Sequence, residues 1–131
     1  MRKQTLFITS IVLLAIILYS FKPPLIDGAN KNLNTNLDEK IEIFGVESEL
    51  SQVIINILTN SYEAFERKNI EKKRVQIELE KIEDTISLNI IDNAGGIEDS
   101  IIDKIFDPYF TTKYKSQGTG LGLFVCSQII I

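Results

Sequence analysis

One stretch of the sequence, residues 47–67, carries two side-chain stripes at helical spacing. Its apolar residues recur every three or four positions and define one face. These residues are Leu50, Val53, Ile54, Ile57, Leu58, Ala64 and Phe65. A second stripe at the same spacing is polar and lies on a different face, and it consists of Gln52, Asn56, Asn60 and Glu63. The stretch therefore predicts an amphipathic helix with amide side chains on its polar side.

The segments around this helix predict a mixed α/β domain that begins near Leu37. Alternation of apolar and polar residues predicts a short strand at residues 40–44 and an antiparallel hairpin over residues 75–90 with one wet face. Residues 98–105 predict a short helix, and residues 106–119 a long loop. Glycines over residues 118–122 then open a last helix.

The N-terminal region has a different composition. Residues 4–21 contain no charge, follow Arg2 and Lys3, and end at Lys22 and two prolines. A spanning helix needs about 20 apolar residues, with about 17 as the lower limit. We therefore expect residues 1–21 to be a single-pass transmembrane anchor, with residues 5–21 in the bilayer. A cleaved signal peptide and a buried core helix are the alternatives.

The position of the remaining chain relative to this anchor gives two further expectations. By the positive-inside rule, the basic start places the N-terminus in the cytoplasm. A single span would then place residues 22–131 outside, and the side of the membrane on which these residues lie is left open. Residues 22–36 are rich in proline, glycine and asparagine and predict a linker.

Composition excludes several functions. Lysine and arginine number 14 against 18 acidic residues, a net charge of −4 that argues against nucleic acid as a partner. One cysteine, Cys126, excludes an intrachain disulfide. The chain has 0 histidines, which excludes a histidine metal site, a Ser–His triad and a phosphohistidine on this chain.

The amide stripe is the first candidate for chemistry. Asn56 and Asn60 are one helical turn apart, and amide oxygens suit Mg²⁺, which keeps several waters and shares phosphate oxygens. Glu63, one turn further, would hold such a water or tune the site. The alternative is an ordinary solvated face, although asparagine is a mediocre helix former.

The second candidate is Asp92 at the end of a strand, followed by Gly95 and Gly96. An acid beside a turn that permits close backbone approach suits recognition of a planar base through its exocyclic amine. Alone, such a segment is more often an ordinary hairpin or helix-entry turn.

Two more segments suit a phosphate group. Glycines 118, 120 and 122 precede a helix, where exposed N–H groups and the helix dipole attract phosphate, although the spacing is neither a Walker loop nor a dinucleotide fingerprint. In residues 106–113, three aromatics are expected to dock the base of the loop, and Thr111, Thr112 and Lys113 to close over phosphates. The alternative is a surface loop with a hydrophobic anchor.

Together the four segments resemble the nucleotide-binding boxes of the GHKL superfamily, specifically the ATP-binding catalytic domain of bacterial sensor histidine kinases. Residues 52–61 resemble the asparagine box, 92–97 the first glycine box, 106–113 the phenylalanine box and 118–123 the second glycine box. The resemblance implies an α/β (α+β) two-layer sandwich, a Bergerat-type fold, with ATP between the helical layer and a lid.

The resemblance also implies roles for individual residues. Asn60 would coordinate Mg²⁺ with Asn56 in support, both in the catalytic centre; Asp92 would bind the adenine amine, and residues 111–118 would form the lid. The cofactor-binding residues that it implies are Asn60, Asp92, Gly96, Thr111, Thr112, Lys113, Gly118, Thr119, Gly120, Leu121 and Gly122.

One departure favours phosphoryl transfer over hydrolysis. Gyrase, chaperone and mismatch-repair ATPases resemble each other in a glutamate at the position of Asn56, and that glutamate activates water. An amide is not a usable base, so the resemblance implies a kinase that donates the γ-phosphate of ATP to a histidine elsewhere. Glu63 also departs from the lysine that many relatives carry.

The implied partners are a histidine-bearing dimerisation domain and a response regulator. Because relatives continue into further strands, we expect a fold that is incomplete at the C-terminus and a truncated chain. The alternatives are a non-catalytic nucleotide-binding remnant, a GHKL-type ATPase and a serine-directed kinase.

Overall fold

A computed structural model describes residues 6–9, 33–37, 41–113 and 118–130 of the chain, and the side chains of residues 41, 45–113 and 118–130. Its strands are β1 (Leu6–Thr9), β2 (Leu33–Leu37), β3 (Glu42–Gly45), β4 (Val75–Ile82) and β5 (Thr85–Asp92). Its helices are α1 (Glu47–Arg67), a short 3₁₀ turn (Ile102–Lys104) and α2 (Gly122–Ile130).

The strands form two small sheets. In the first, β1 and β3 pair antiparallel, with Leu6 opposite Gly45. In the second, the order is β2-β4-β5. There β2 runs parallel to β4 from the pair Leu33–Val75, and β4 and β5 form a hairpin in which Ile82 pairs with Thr85.

The apolar stripe of α1 packs against the three-stranded sheet. Its most buried residues, Ile54, Leu58 and Phe65, share one cluster with the buried residues of β4. Each large apolar side chain removed from water contributes about 1.5–3 kcal/mol, so this layer contact fixes where α1 lies. The polar stripe of α1 is consequently held away from the sheet.

Both ends of α1 agree with helix electrostatics. Glu47 and Glu49 lie in its first turn and Arg67 in its last, which complements the helix dipole. The carbonyl of Val46 accepts the first helical bonds, from Glu49 N at 3.1 Å and Leu50 N at 3.2 Å. The predicted helix over residues 47–67 is confirmed, as are the hairpin and the strand before α1.

The structure differs from the expectations at three places. Leu33–Leu37 form β2, so the end of the expected linker belongs to the sheet. Leu6–Thr9 form β1, where a membrane helix was expected, and the rest of that apolar run lies outside the described residues. The short helix expected at residues 98–105 is only the 3₁₀ turn Ile102–Lys104.

None of the helices in the described residues has the length and apolar character needed to cross a bilayer.

Candidate functional site

Oxygen atoms from the polar stripe of α1 converge on one ammonium group. Lys113 Nζ donates to Asn60 Oδ1 at 3.3 Å and forms an ion pair with the Glu63 carboxylate. Asn60 and Glu63 are three residues apart on the helix and therefore share a face. The arrangement brings the predicted amide ligand and the predicted loop lysine together, and it shows that this face of α1 accommodates a cation.

The same contact tests whether Mg²⁺ suits these residues. An amide oxygen and a carboxylate oxygen are hard donors of the kind that Mg²⁺ prefers, and here they already share one positive charge. Within the described residues, no three His, Cys, Asp or Glu side chains cluster as a metal cage. Such a donor set fits an ion that takes its other ligands from phosphate and water.

Asn56 has a different use. Its Oδ1 accepts a hydrogen bond from Gln52 Nε2 at 2.9 Å, and its Nδ2 donates to the carbonyl of Gly122 at 3.1 Å and to Cys126 Sγ at 3.6 Å. The amide therefore ties the start of α2 to the polar face of α1. This position supports the second glycine segment rather than offering an unused oxygen to a ligand.

Cys126 completes that contact from the α2 side. The thiol is buried and lies 3.8 Å from the carbonyl of Val53. Burial raises the pKa of Cys126, and the weaker effect of its hydrogen bond with Asn56 acts in the opposite direction. The thiol is consequently neutral at physiological pH and is part of the packing between the two helices.

Asp92 ends β5 with both carboxylate oxygens oriented. Ser61 Oγ donates to Oδ2 at 2.7 Å, and the backbone N–H of Ala94 donates to Oδ1 at 2.9 Å. The Asp92 side chain nevertheless stays exposed. Ser61 was not predicted as a site residue, and only its burial against Asp92 distinguishes it from other helical serines.

The turn after Asp92 requires glycine at two positions. Gly95 has φ +84° and Gly96 has φ +69°, values that side chains disfavour. Lys68 Nζ donates to the Gly96 carbonyl at 3.2 Å, and the Asn93 side chain bonds the backbone of Lys72 and Arg74 at 2.8 Å each. The predicted base-recognition turn is therefore an ordered turn, anchored to the segment that connects α1 to β4.

The aromatic segment is anchored only in part as expected. Phe106 is 51% exposed and Tyr109 75% exposed, whereas Phe110 is half-buried. The backbone also holds the loop, since Tyr109 N–H donates to the Gly120 carbonyl at 2.9 Å and Tyr109 itself adopts φ +65°. The expectation does not hold for Phe106 and Tyr109, because an aromatic residue in the sequence does not by itself create a cavity to receive its ring.

Glycine is needed where the loop meets the second glycine segment. A Cβ on Gly120, which has φ +67°, would lie 2.4 Å from the carbonyl carbon of Tyr109. A Cβ on Gly118 would lie 3.0 Å from Thr111 Oγ1 and 2.9 Å from Lys113 Cδ. Two of the predicted glycines thus pack directly against the predicted loop.

The remaining predicted residues follow from these contacts. Thr111 Oγ1 accepts the N–H of Lys113 at 3.1 Å, and Thr119 Oγ1 accepts the N–H of Leu121 at 3.4 Å. Gly122 begins α2, whose first N–H groups have no partner within the helix. Thr112 is exposed and has no side-chain hydrogen bond among the described residues.

Comparison with known proteins gives one family model and many relatives. The model described as "Histidine kinase-, DNA gyrase B-, and HSP90-like ATPase" matches residues 45–131. The two-component sensor PprA of Pseudomonas aeruginosa is 36% identical over 70% of this chain and 10% of its own length. Sporulation kinase B of Bacillus subtilis is 30% identical over 99% of this chain and 30% of its own length. The chain thus spans less than a third of these curated relatives.

Solved structures give the same fold. The nucleotide-free catalytic domain of histidine kinase ThkA superposes with a TM-score of 0.76 and 25% identity, over 97% of this chain and 80% of that one. The mycobacterial sensor histidine kinase MprB superposes with a TM-score of 0.72 and 19% identity, over 98% of this chain and 78% of that one. The α/β architecture described above is therefore shared with these domains.

Proposed function

The chain belongs to the family of histidine kinase-, DNA gyrase B- and HSP90-like ATPases, and we propose from this premise that it binds ATP to donate the γ-phosphate to a histidine on a separate domain or chain. One observation carries the proposal. Two consecutive residues of α1 contact the groups assigned to the two ends of the nucleotide. Asn60 contacts the Lys113 ammonium, and Ser61 contacts the exposed Asp92 carboxylate beside the glycine turn.

At the base end, Asp92 is the acceptor for the adenine amine. Its carboxylate is exposed and its two oxygens are oriented by separate donors. Carboxylate oxygens keep free lone pairs after one hydrogen bond each, so an exocyclic amine can add to them. Gly95 and Gly96 leave the adjoining backbone free of side chains.

At the phosphate end, Asn60 would hold Mg²⁺, and Glu63 lies three residues further along the same face of α1. Bound Mg²⁺ would neutralise the charge that develops on the transferred phosphoryl group. Lys113, which contacts both Asn60 and Glu63, supplies a positive charge on the loop that faces this end. Thr111, Thr112 and the backbone of residues 118–122 complete the phosphate end.

Transfer is favoured over hydrolysis by the contacts of Asn56. Its oxygen is taken by Gln52 and its nitrogen by Gly122 and Cys126. An amide held in this way does not accept a proton from water. The acceptor lies on a partner because this chain has 0 histidines. A histidine-bearing dimerisation domain and a response regulator are the partners that the family relationship supports.

The ATP site is tested by calorimetry on the full chain. Asn60→Ala is expected to lower the affinity for ATP in excess Mg²⁺ by at least about 100-fold, since a site built around one ion loses its protein ligand. The control is Thr59→Ala, because Thr59 is exposed on the same helix. Unchanged affinity in Asn60→Ala would show that the site is misplaced.

Transfer is tested separately with labelled ATP and a purified histidine-bearing dimerisation domain. The expected product is an alkali-stable, acid-labile phosphohistidine on that domain, absent with the Asn60→Ala chain. ATP binding without any label on protein would support the nucleotide-binding remnant. Release of phosphate without labelled protein would support an ATPase.

Membrane attachment through residues 5–21 is a separate proposal. It is supported by the charge-free run of residues 4–21, and the strand at Leu6–Thr9 weighs against a helix over those four positions. Fractionation of cells that express the full chain tests it. Recovery from the membrane fraction after a high-salt wash is the expected result, and recovery without membranes would contradict it.

A further inference from the structure

Ser61 is the single polar residue that is buried among the side chains that the structure describes, with 4% of its surface exposed. A buried hydroxyl costs free energy unless it is hydrogen-bonded, and alanine at this position would be the better helix former. Packing alone therefore gives no reason for a hydroxyl here.

The hydroxyl has two acceptors within reach. The carboxylate oxygen Oδ2 of Asp92 lies at 2.7 Å and the carbonyl of Ile57 at 3.3 Å. One hydroxyl has one proton to donate. The charged and nearer acceptor is the stronger partner, so the proton goes to Asp92.

Two donors from different elements thus fix the rotation of the Asp92 carboxylate. Ser61 is on α1 and binds Oδ2, whereas the Ala94 N–H is in the glycine turn and binds Oδ1. With only the Ala94 contact, the carboxylate plane would be free to turn about its last side-chain bond, a torsion with a broad energy profile.

We propose that Ser61 is a positioning residue that sets the preference of this site for adenine, acting through Asp92. The inference rests on the proposed function, because it assigns a base-selecting role within the same ATP site. A carboxylate fixed as an acceptor binds a base that presents an amine and rejects a base that presents a carbonyl oxygen at the same position. Ser61 thereby supplies selectivity without touching the base.

The experiment compares three nucleotides on one variant by calorimetry in excess Mg²⁺. ATP carries the amine, purine riboside triphosphate has hydrogen in its place, and inosine triphosphate has a carbonyl. Ser61→Ala is expected to weaken ATP binding about tenfold, or about 1.4 kcal/mol, and to leave purine riboside triphosphate unchanged. The preference for ATP over inosine triphosphate falls by a similar factor.

A matched control is available on the same helix. Ser51 also donates from a serine hydroxyl, to the Glu47 carbonyl at 2.7 Å, and it does not contact Asp92. Ser51→Ala is expected to leave all three affinities unchanged. The ratio of affinities for two nucleotides is measured on folded molecules of one sample, so a lower stability of Ser61→Ala does not imitate the expected result.

A double-mutant cycle separates this role from a structural one. If Ser61 acts through Asp92, Ser61→Ala adds no loss of ATP affinity in the Asp92→Asn background. Additive losses, or an equal loss for ATP and purine riboside triphosphate, would overturn the inference. A wild-type chain that binds no nucleotide would instead contradict the proposed function, so the two failures are distinguishable.

Discussion

The reactivity of Cys126 measures how closely α2 packs against α1, because this thiol lies between the two helices. Its thiol is buried, and burial raises its pKa above the ordinary value of 9.0. A neutral thiol is a poor nucleophile. The stabilisation that comes from burying the neutral Cys126 thiol is fully present below the pKa of this thiol in the unfolded chain. It is lost as the pH rises through the higher pKa of the thiol in the folded chain.

We therefore expect alkylation of Cys126 at pH 8 to be at least about tenfold slower in the native chain than in urea, since reaction requires both opening and the thiolate. The difference in unfolding free energy between the wild type and Cys126→Ala should shrink as the pH rises above 9.0. Alkylation at equal rates in both states would show that the thiol is accessible.

Gly120 is the glycine with the strongest steric requirement. A Cβ there meets the Tyr109 and Phe110 backbone at 2.4–2.8 Å, and the residue has φ +67°. Gly120→Ala is expected to destabilise the chain by more than about 1–2 kcal/mol, the cost of the left-handed conformation alone, as measured by urea unfolding. Gly45→Ala is the control, because a Cβ at Gly45 meets nothing within 4 Å. Equal effects of the two substitutions would contradict this account.

Single residues differ in how far the sequence identifies them. Asn60 stands out because an amide in the middle of a helix is unusual, and Asp92 because it precedes two glycines. Ser61 does not stand out, since a serine in a helix is common and only its burial against Asp92 distinguishes it. The exposure of Phe106 and Tyr109 was not predicted, because exposure depends on the surrounding surface, which residue type does not specify.

Helix α1 and the loop that follows Tyr109 are connected by charge. Lys113 pairs with Glu63 and donates to Asn60, so the loop's ammonium occupies oxygens that Mg²⁺ would use. We expect Glu63→Gln to raise the affinity for metal-free ATP several-fold, because a carboxylate that repels the triphosphate is removed and Lys113 is released to bind it.

The control for this change is Glu66→Gln, since Glu66 is a glutamate on the same helix that pairs with Lys73 rather than with Lys113. Affinities are measured in EDTA and in excess Mg²⁺. A gain limited to Mg²⁺, or the same gain in Glu66→Gln, would show that the Glu63–Lys113 pair does not govern the phosphate end.

Elements with strong periodicity were predictable and those with weak periodicity were not. The stripes of α1 specify its bounds, and alternation specifies β4 and β5. The strand β2 has the sequence Leu-Asn-Thr-Asn-Leu, whose asparagines are poor strand formers. Its formation depends on pairing with β4. In that pairing Leu33 lies opposite Val75, Thr35 opposite Ile77, and Leu37 opposite Leu79. A long-range partner of this kind is not visible in local sequence.

Nucleotide binding at the proposed site should stabilise the fold as a unit, because that site would draw on α1, β5, the loop and α2. A ligand that binds only the folded state adds about 2.7 kcal/mol at a concentration 100 times its Kd. We expect Mg²⁺–ATP to raise the urea midpoint accordingly and Mg²⁺–GTP to raise it much less. An equal shift with both nucleotides would contradict selection by Asp92.

Asn60 and Ser61 are joined by one peptide bond within a helix that the core holds rigidly against the sheet. In the proposed site, the base end at Ser61 and the phosphate end at Asn60 would therefore lie at a fixed separation that the packing of α1 sets. Selection of the nucleobase would then depend on α1 and the glycine turn, and not on the contact that Lys113 makes.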